Sequence, residues 1–175
     1  MAKGTKNVLR LVRSPEDIRG MGGCYPLRLF GRTIDSLGDY LSYHSPGPDG
    51  RCAGCLDKLS AVDPYLQNWF WTSVIPKFPN AHVSWGFRDE EMQNSCLAAG
   101  TTKLEWPNSA HNKSPARAID LFQIFPGNDT SSPVAIWAPA FFVSLSDMIA
   151  KEDLPILWGG QWKELGDKDH FELKS

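Results

Sequence analysis

The chain has four histidines in 175 residues, and two of them stand where they could share a metal ion. His111 lies in SAHNKSPARAID, nine positions before Asp120, and His170 lies in DKDHFEL, three positions after Asp167. Two imidazoles and one carboxylate are the donors of a catalytic zinc site that keeps one coordination position open. Water bound at such a site has its pKa lowered to about 7, so that a second carboxylate can take its proton as it attacks a carbonyl. Spacing alone does not separate this reading from ordinary surface histidines and aspartates, because zinc ligands so far apart carry no tight sequence signature.

Other residues that could do chemistry are less distinctive. Cys52 and Cys55 form a Cys-x-x-Cys pair, and with Cys24 and His44 nearby they could make a structural Cys3His zinc site. Two thiols without a special role are the favoured reading. Redox use of the pair normally needs a thioredoxin-like βαβ setting, and the surrounding pattern has none. Four cysteines are too few for a disulfide framework, so free thiols are expected. His82 precedes a strand pattern and reads as structural. Of the seven tryptophans, Trp69, Trp71 and Trp106 read as core. Trp158 and Trp162 flank the possible site and could line a substrate groove.

These groups need elements to hold them. Residues 1–55 contain MGGCYP, SPGPDG and GRCAGC, whose Gly, Pro and Ser break any periodic pattern and predict a loop-rich segment. From Leu56, the apolar positions Leu59, Val62, Leu66, Trp69 and Phe70 follow at helical spacing, with Pro64 kinking or restarting the helix. HVSWGFR, residues 82–88, alternates as a half-buried strand does. A short helix follows, with Asp89 at its start and Gly100 at its end. Strands are expected over 116–125, 155–158 and the terminal DHFELK, a turn at Pro126-Gly127, and a helix over 141–150. In the last strand His170 and Glu172 share one face while Phe171 and Leu173 take the other. Glu172 is then either a group orienting a ligand or a solvent-facing glutamate. Helices and strands mixed without a βαβ rhythm predict an α+β fold around a small antiparallel sheet flanked by helices.

Composition excludes several classes of function. A net charge of −2 offers no basic face for nucleic acid. The longest apolar stretch, Val134 to Leu145, is broken by Pro139 and falls short of the roughly 20 residues that span a bilayer. The N-terminus is basic without the apolar stretch of a secretory signal. The length suits one domain.

Taken in order, GFRDEEMQ, GTTK, SAHNKSPARAID and WGGQWKELGDKDHFEL resemble the zinc D-alanyl-D-alanine carboxypeptidase and L-alanyl-D-glutamate endopeptidase family, the VanY-like enzymes. The match runs from about Trp85 to Leu173, roughly half the chain. The resemblance implies a Hedgehog/DD-peptidase-like domain with one catalytic Zn2+ held by His111, Asp120 and His170. It implies that Asp167 is the general base and that Arg88 binds substrate and stabilises the oxyanion. Ser109 would hydrogen-bond near the metal, and Gln93 would shape the pocket. Two features depart from the family pattern. Its usual gap from the first His to the Asp is seven with a Gly between, against nine here with Ser114-Pro115 in that region. The endopeptidase branch often has Asp within WGGxW, where this chain has Gln161, and no role is assigned there. A two-residue excursion preserves the ligands, because Ala118 and Asp120 still share a strand face.

The expectation is therefore a loop-rich extension over 1–55 packed on a zinc peptidase domain over 56–175, a single domain overall and a monomer. Its target is bacterial peptidoglycan, with L-Ala-D-Glu the expected bond in the stem peptide. The alternatives are a D-Ala-D-Ala carboxypeptidase or a non-catalytic zinc-containing binding module of the same fold. A cell-wall enzyme without an export signal suits a phage endolysin that stays in the host cytoplasm until lysis, or a virion-associated protein.

Overall fold

The computed structural model describes residues 9–11, 28–29, 32–33, 49–125, 134–136, 138–163 and 166–175. Cys24, His44, Glu164 and the Pro126-Gly127 turn lie outside these.

Local chemistry accounts for the helices. Helix α1, Ala53–Leu59, starts at Cys52, whose sulfur accepts the Cys55 N–H. Helix α2, Pro64–Trp69, is capped by the Asp63 carboxylate on the Tyr65 N–H, with Pro64 in the first turn, where no N–H is needed. Leu59, Leu66, Trp69 and Phe70 are all buried, as their spacing predicts. The helical path goes beyond Phe70, where the apolar run ended. It passes through one wider turn, Phe70–Val74, into α3, Ile75–Lys77. Pro76 has no N–H to donate, and the wide turn lies just ahead of it. Helix α4, Glu90–Ala98, is capped by Asp89 on the Met92 N–H and is followed by Gly100 at φ +71°. Helix α5 spans Pro139–Lys151.

The strands are β1 (Leu9–Leu11), β2 (Arg28–Leu29), β3 (Arg32–Thr33), β4 (Ala81–Trp85), β5 (Ala118–Phe125), β6 (Val134–Ile136), β7 (Ile156–Trp158) and β8 (His170–Leu173). Strands β2 and β3 pair with each other, and the other six form one antiparallel sheet. The hub is β5. Strand β4 runs along one of its edges, while β8 pairs with Ala118–Asp120 and β6 with Gln123–Phe125. The N-terminal part of the chain adds β1 to the edge of this sheet, beside β6. The architecture is α+β.

Alternation along β5 separates packing from chemistry. Ile119 and Leu121 are fully buried in the main core with Leu59, Leu66, Phe70, Phe142, Leu145 and Phe171. Asp120, between them, points to the other face. Each fully buried Leu or Phe stabilises the fold by about 1.5–3 kcal/mol. Asp120 is thus carried on the most firmly packed strand of the sheet.

The strand expected over 82–88 ends at Trp85. Its register shifts between Val83 and Trp85, which re-aims Trp85 out of the main core and into a small cluster with Cys96 and Met92. Gly86 then runs against α1. A Cβ there would lie 2.0 Å from the Lys58 carbonyl oxygen and 2.8 Å from Val62 Cγ2. Gly86→Ala should therefore destabilise the protein by about 1–3 kcal/mol through overpacking. Denaturant unfolding measures this, and a wild-type midpoint would show that the α1 contact is not a close one.

Candidate metal centre

His111 sits in a short turn, Ala110–Asn112, whose geometry is held from within. The Ser109 hydroxyl accepts the His111 N–H at 3.3 Å, and Asn112 Oδ1 accepts the Ser109 N–H at 3.1 Å. The turn is laced to the segment after β4. The Arg88 N–H donates to the His111 carbonyl at 2.9 Å, and Asn112 Nδ2 donates to the Arg88 carbonyl at 3.0 Å. The His111 ring closes this lacing, with Nδ1 2.6 Å from the Gly86 carbonyl oxygen. A carbonyl only accepts, so Nδ1 carries the proton and Nε2 presents a bare lone pair.

The same logic fixes His170. Strand β8 places it directly opposite Asp120 on β5, and places Glu172 opposite Ala118. His170 Nε2 lies 3.0 Å from the Glu172 carboxylate and donates to it, leaving Nδ1 to face inward. His111 Nε2 is then 3.1 Å from Asp120 Oδ1 and 3.2 Å from His170 Nδ1, and His170 Nδ1 is 3.0 Å from Asp120 Oδ1. All three residues are buried.

Three electron-pair donors thus converge on one point. A tetrahedral zinc with ligands at about 2.0–2.1 Å has edges of roughly 3.4 Å, close to the separations seen. Charge agrees with geometry. Asp120, Glu172 and Asp167 bring three carboxylates to the neighbourhood against one guanidinium, Arg88, and a dication balances the difference. The group His111, Asp120 and His170 is a candidate metal site on both counts.

The titration behaviour reflects the same field. Burial pushes His111 down, and the Arg88 charge adds to that, so it stays neutral. Burial alone would raise Asp120, but the Arg88 charge and the hydrogen bond from His170 hold its carboxyl well below the usual range. Burial likewise opposes charge on His170, yet hydrogen bonds to Asp120 and Glu172 and the nearby Asp120 and Asp167 charges push it up to about 10. A cation is wanted here, and without a metal a proton on His170 serves.

The remaining residues singled out by sequence fall around this point. Arg88 Nη2 donates to Asp120 Oδ2, its Cζ lies 5.0 Å from the Trp85 ring centre, and its Nε is buried with no hydrogen-bond partner. Asp167 lies half-buried in the turn before β8, where its backbone oxygen packs on Gly159. The Trp162 ring centre is 5.1 Å from that of His170. Trp158 Nε1 donates to the Lys168 carbonyl at 2.7 Å and so ties down the same turn. Ser109 supports the His111 turn through its hydroxyl. Gln93 is fully buried, donates to the Leu104 carbonyl at 2.7 Å and accepts from Asn112, bracing the loop that carries His111. Two supporting groups had no sequence signal of their own: the Gly86 carbonyl and Asn112.

Sequence expectation differs from structure at the cysteines. Cys52 and Cys55 are not disulfide-bonded, but Cys96, expected as a thiol, is. The Cys-x-x-Cys pair gathers His82 rather than standing alone.

Comparison with known proteins places the fold. The structure is similar to the crystal structure of Serratia marcescens L-Ala D-Glu endopeptidase ChiX, at 23% sequence identity and a TM-score of 0.53. The alignment covers 69% of this chain and 86% of that one. No protein-family model matches the chain, and no curated protein matches it significantly.

Two outcomes follow from the centre. Glu172→Ala removes the acceptor that fixes the His170 tautomer, so metal affinity at this centre should fall about 10- to 100-fold. Competition with a chromophoric chelator reads it, and unchanged affinity would make Glu172 a bystander. In chelator-treated protein, His170 is charged in the fold up to about pH 10, whereas its ordinary pKa is 6.5. Its stabilising contribution is complete below the lower value and is lost as pH rises through the upper one. Melting temperature followed across that window should decline, and less so in His170→Gln.

Proposed function

We propose that the protein is a zinc-dependent peptidoglycan peptidase that cuts the L-Ala-D-Glu bond of the stem peptide. The observation that carries this reading is the convergence of His111 Nε2, Asp120 Oδ1 and His170 Nδ1 within 3.2 Å of one another. The fold shared with an L-Ala D-Glu endopeptidase supports it. So does the VanY-like order of Arg88, Gln93, Ser109, His111, Asp120, Asp167 and His170 along the chain.

Zinc held by His111, Asp120 and His170 supplies a Lewis acid that acidifies water and polarises the amide carbonyl. The protein's own groups do the rest. Asp167, in the turn beside His170, takes a proton from the attacking water and returns it to the leaving amine. Arg88 already holds Asp120 through one nitrogen, and the part of its guanidinium not engaged there is the donor for the oxygen on which charge develops or for a stem carboxylate. Trp158 and Trp162 form one wall of the substrate groove. The Trp162 ring, tilted against that of His170, brings this wall up to the metal ligands.

The base assignment has a sharp test. Asp167→Asn should retain fold and metal but lose about 10²- to 10⁴-fold in hydrolysis, because an amide cannot accept the proton. Wild-type turnover would pass the role to Glu164 or Glu172.

Bond choice is read from products. Digestion of purified peptidoglycan should release stem peptides with D-Glu at the new N-terminus and leave L-Ala on the glycan. Mass spectrometry showing only free D-Ala would indicate a carboxypeptidase instead. No product from any wall type would indicate a binding module.

A further inference from the structure

At the other end of β4 from the carboxylate centre, two thiols and an imidazole meet. Cys52 Sγ is 3.4 Å and Cys55 Sγ is 3.6 Å from His82 Nδ1, although the cysteines lie 30 and 27 residues away in sequence. A tetrahedral zinc with sulfur at about 2.3 Å and nitrogen at about 2.0–2.1 Å has sulfur–nitrogen edges of roughly 3.5 Å. The observed distances bracket that value.

The sulfurs are also set up as acceptors. The Cys55 N–H points at Cys52 Sγ at 3.3 Å, and the Val83 N–H points at Cys55 Sγ at 3.4 Å. Backbone donors aimed at sulfur stabilise a thiolate, the form that binds metal. Neither cysteine is disulfide-bonded. Thiolate and imidazole donors at this spacing suit zinc rather than magnesium or calcium, which take oxygen.

We infer that Cys52, Cys55 and His82 bind a second zinc ion, structural in role, which bolts the start of α1 to β4. Two thiolates and a neutral imidazole leave the bound ion without net charge, which suits a site where Cys55 is fully buried. The consequence reaches the first centre. Strand β4 pairs with β5 at Val83–Leu121 and Trp85–Asp120, and it leads directly into Gly86 and Arg88. Fixing His82 therefore fixes the strand that delivers the Gly86 carbonyl to His111.

Metal binding here does not require the proposed peptidase activity, and the test keeps the two apart. Cobalt(II) is titrated into the metal-free full-length chain and into a His111→Ala/His170→Ala variant. Sulfur-to-cobalt charge-transfer absorption should develop in both proteins and saturate at one equivalent in the variant, since the other centre has no sulfur. The band should weaken in Cys55→Ser and in His82→Ala and vanish in Cys52→Ser/Cys55→Ser. Zinc added afterwards should bleach it and slow the reaction of the thiols with a disulfide reagent. A wild-type chain that takes up cobalt without this band, or whose thiols react equally fast with and without zinc, would overturn the inference. The wild-type spectrum decides even if the variants fail to fold.

Discussion

The structure turns on one buried carboxylate. Asp120 lies between two core residues on the central strand, and an isolated charge there would be strongly disfavoured by desolvation. It is kept ionised by what surrounds it: the Arg88 guanidinium on one oxygen and the His170 ring on the other, with His111 beside the latter. Each of those partners is anchored in turn, His111 by the Gly86 carbonyl and His170 by Glu172. Replacing Asp120 by an apolar residue would leave a guanidinium buried without its counter-charge, which costs more than the lost ion pair itself contributes. The cluster therefore constrains the positions of β4, β5, β8 and the His111 turn together.

Much of this was legible from residue types. The period-two pattern of β5 and β8 put Asp120 with Ala118, and His170 with Glu172, on faces of their own, and the register joins those faces. The capping of α4 by Asp89 and the restart at Pro64 were likewise local signals. What escaped was tertiary. The end of β4 at Trp85 depends on the approach of Gly86 to α1, which no local propensity encodes. His82 reads as structural in isolation because its cysteine partners lie on a helix start about thirty residues earlier. Asn112 carried no signal in the sequence, yet it bonds to Ser109, Arg88 and Gln93.

The nine-residue spacing between His111 and Asp120 is accommodated without disturbing the geometry of the two side chains. The excursion at Lys113–Pro115 is exposed, and the chain is caught on both sides of it. Before it, the His111 turn is fixed by its own cap. After it, the Ala116 N–H donates to the Ala61 carbonyl and the Asp63 N–H to Ala116, while Arg117 N–H returns to Ala110. These bonds set where β5 begins. The residues of the excursion therefore bulge into solvent, at little entropic cost per residue, rather than shifting Asp120 along the strand.

Strand β4 is the element that both sides of the molecule share. One end carries His82 toward the two cysteines, and the other delivers Gly86 and Arg88 to the carboxylate centre. Its five residues are too few to hold this position by pairing alone, and the irregularity after Val83 weakens the ladder where precision is most needed. Contacts with α1 make up the difference: Lys58 Nζ donates to the Ser84 carbonyl, and Gly86 packs on the Lys58 backbone. Helix α1 thus acts as the backing for the candidate centre around Asp120, although none of its residues belongs to that centre. A site on a strand edge keeps its geometry only when the layer behind that strand is fixed.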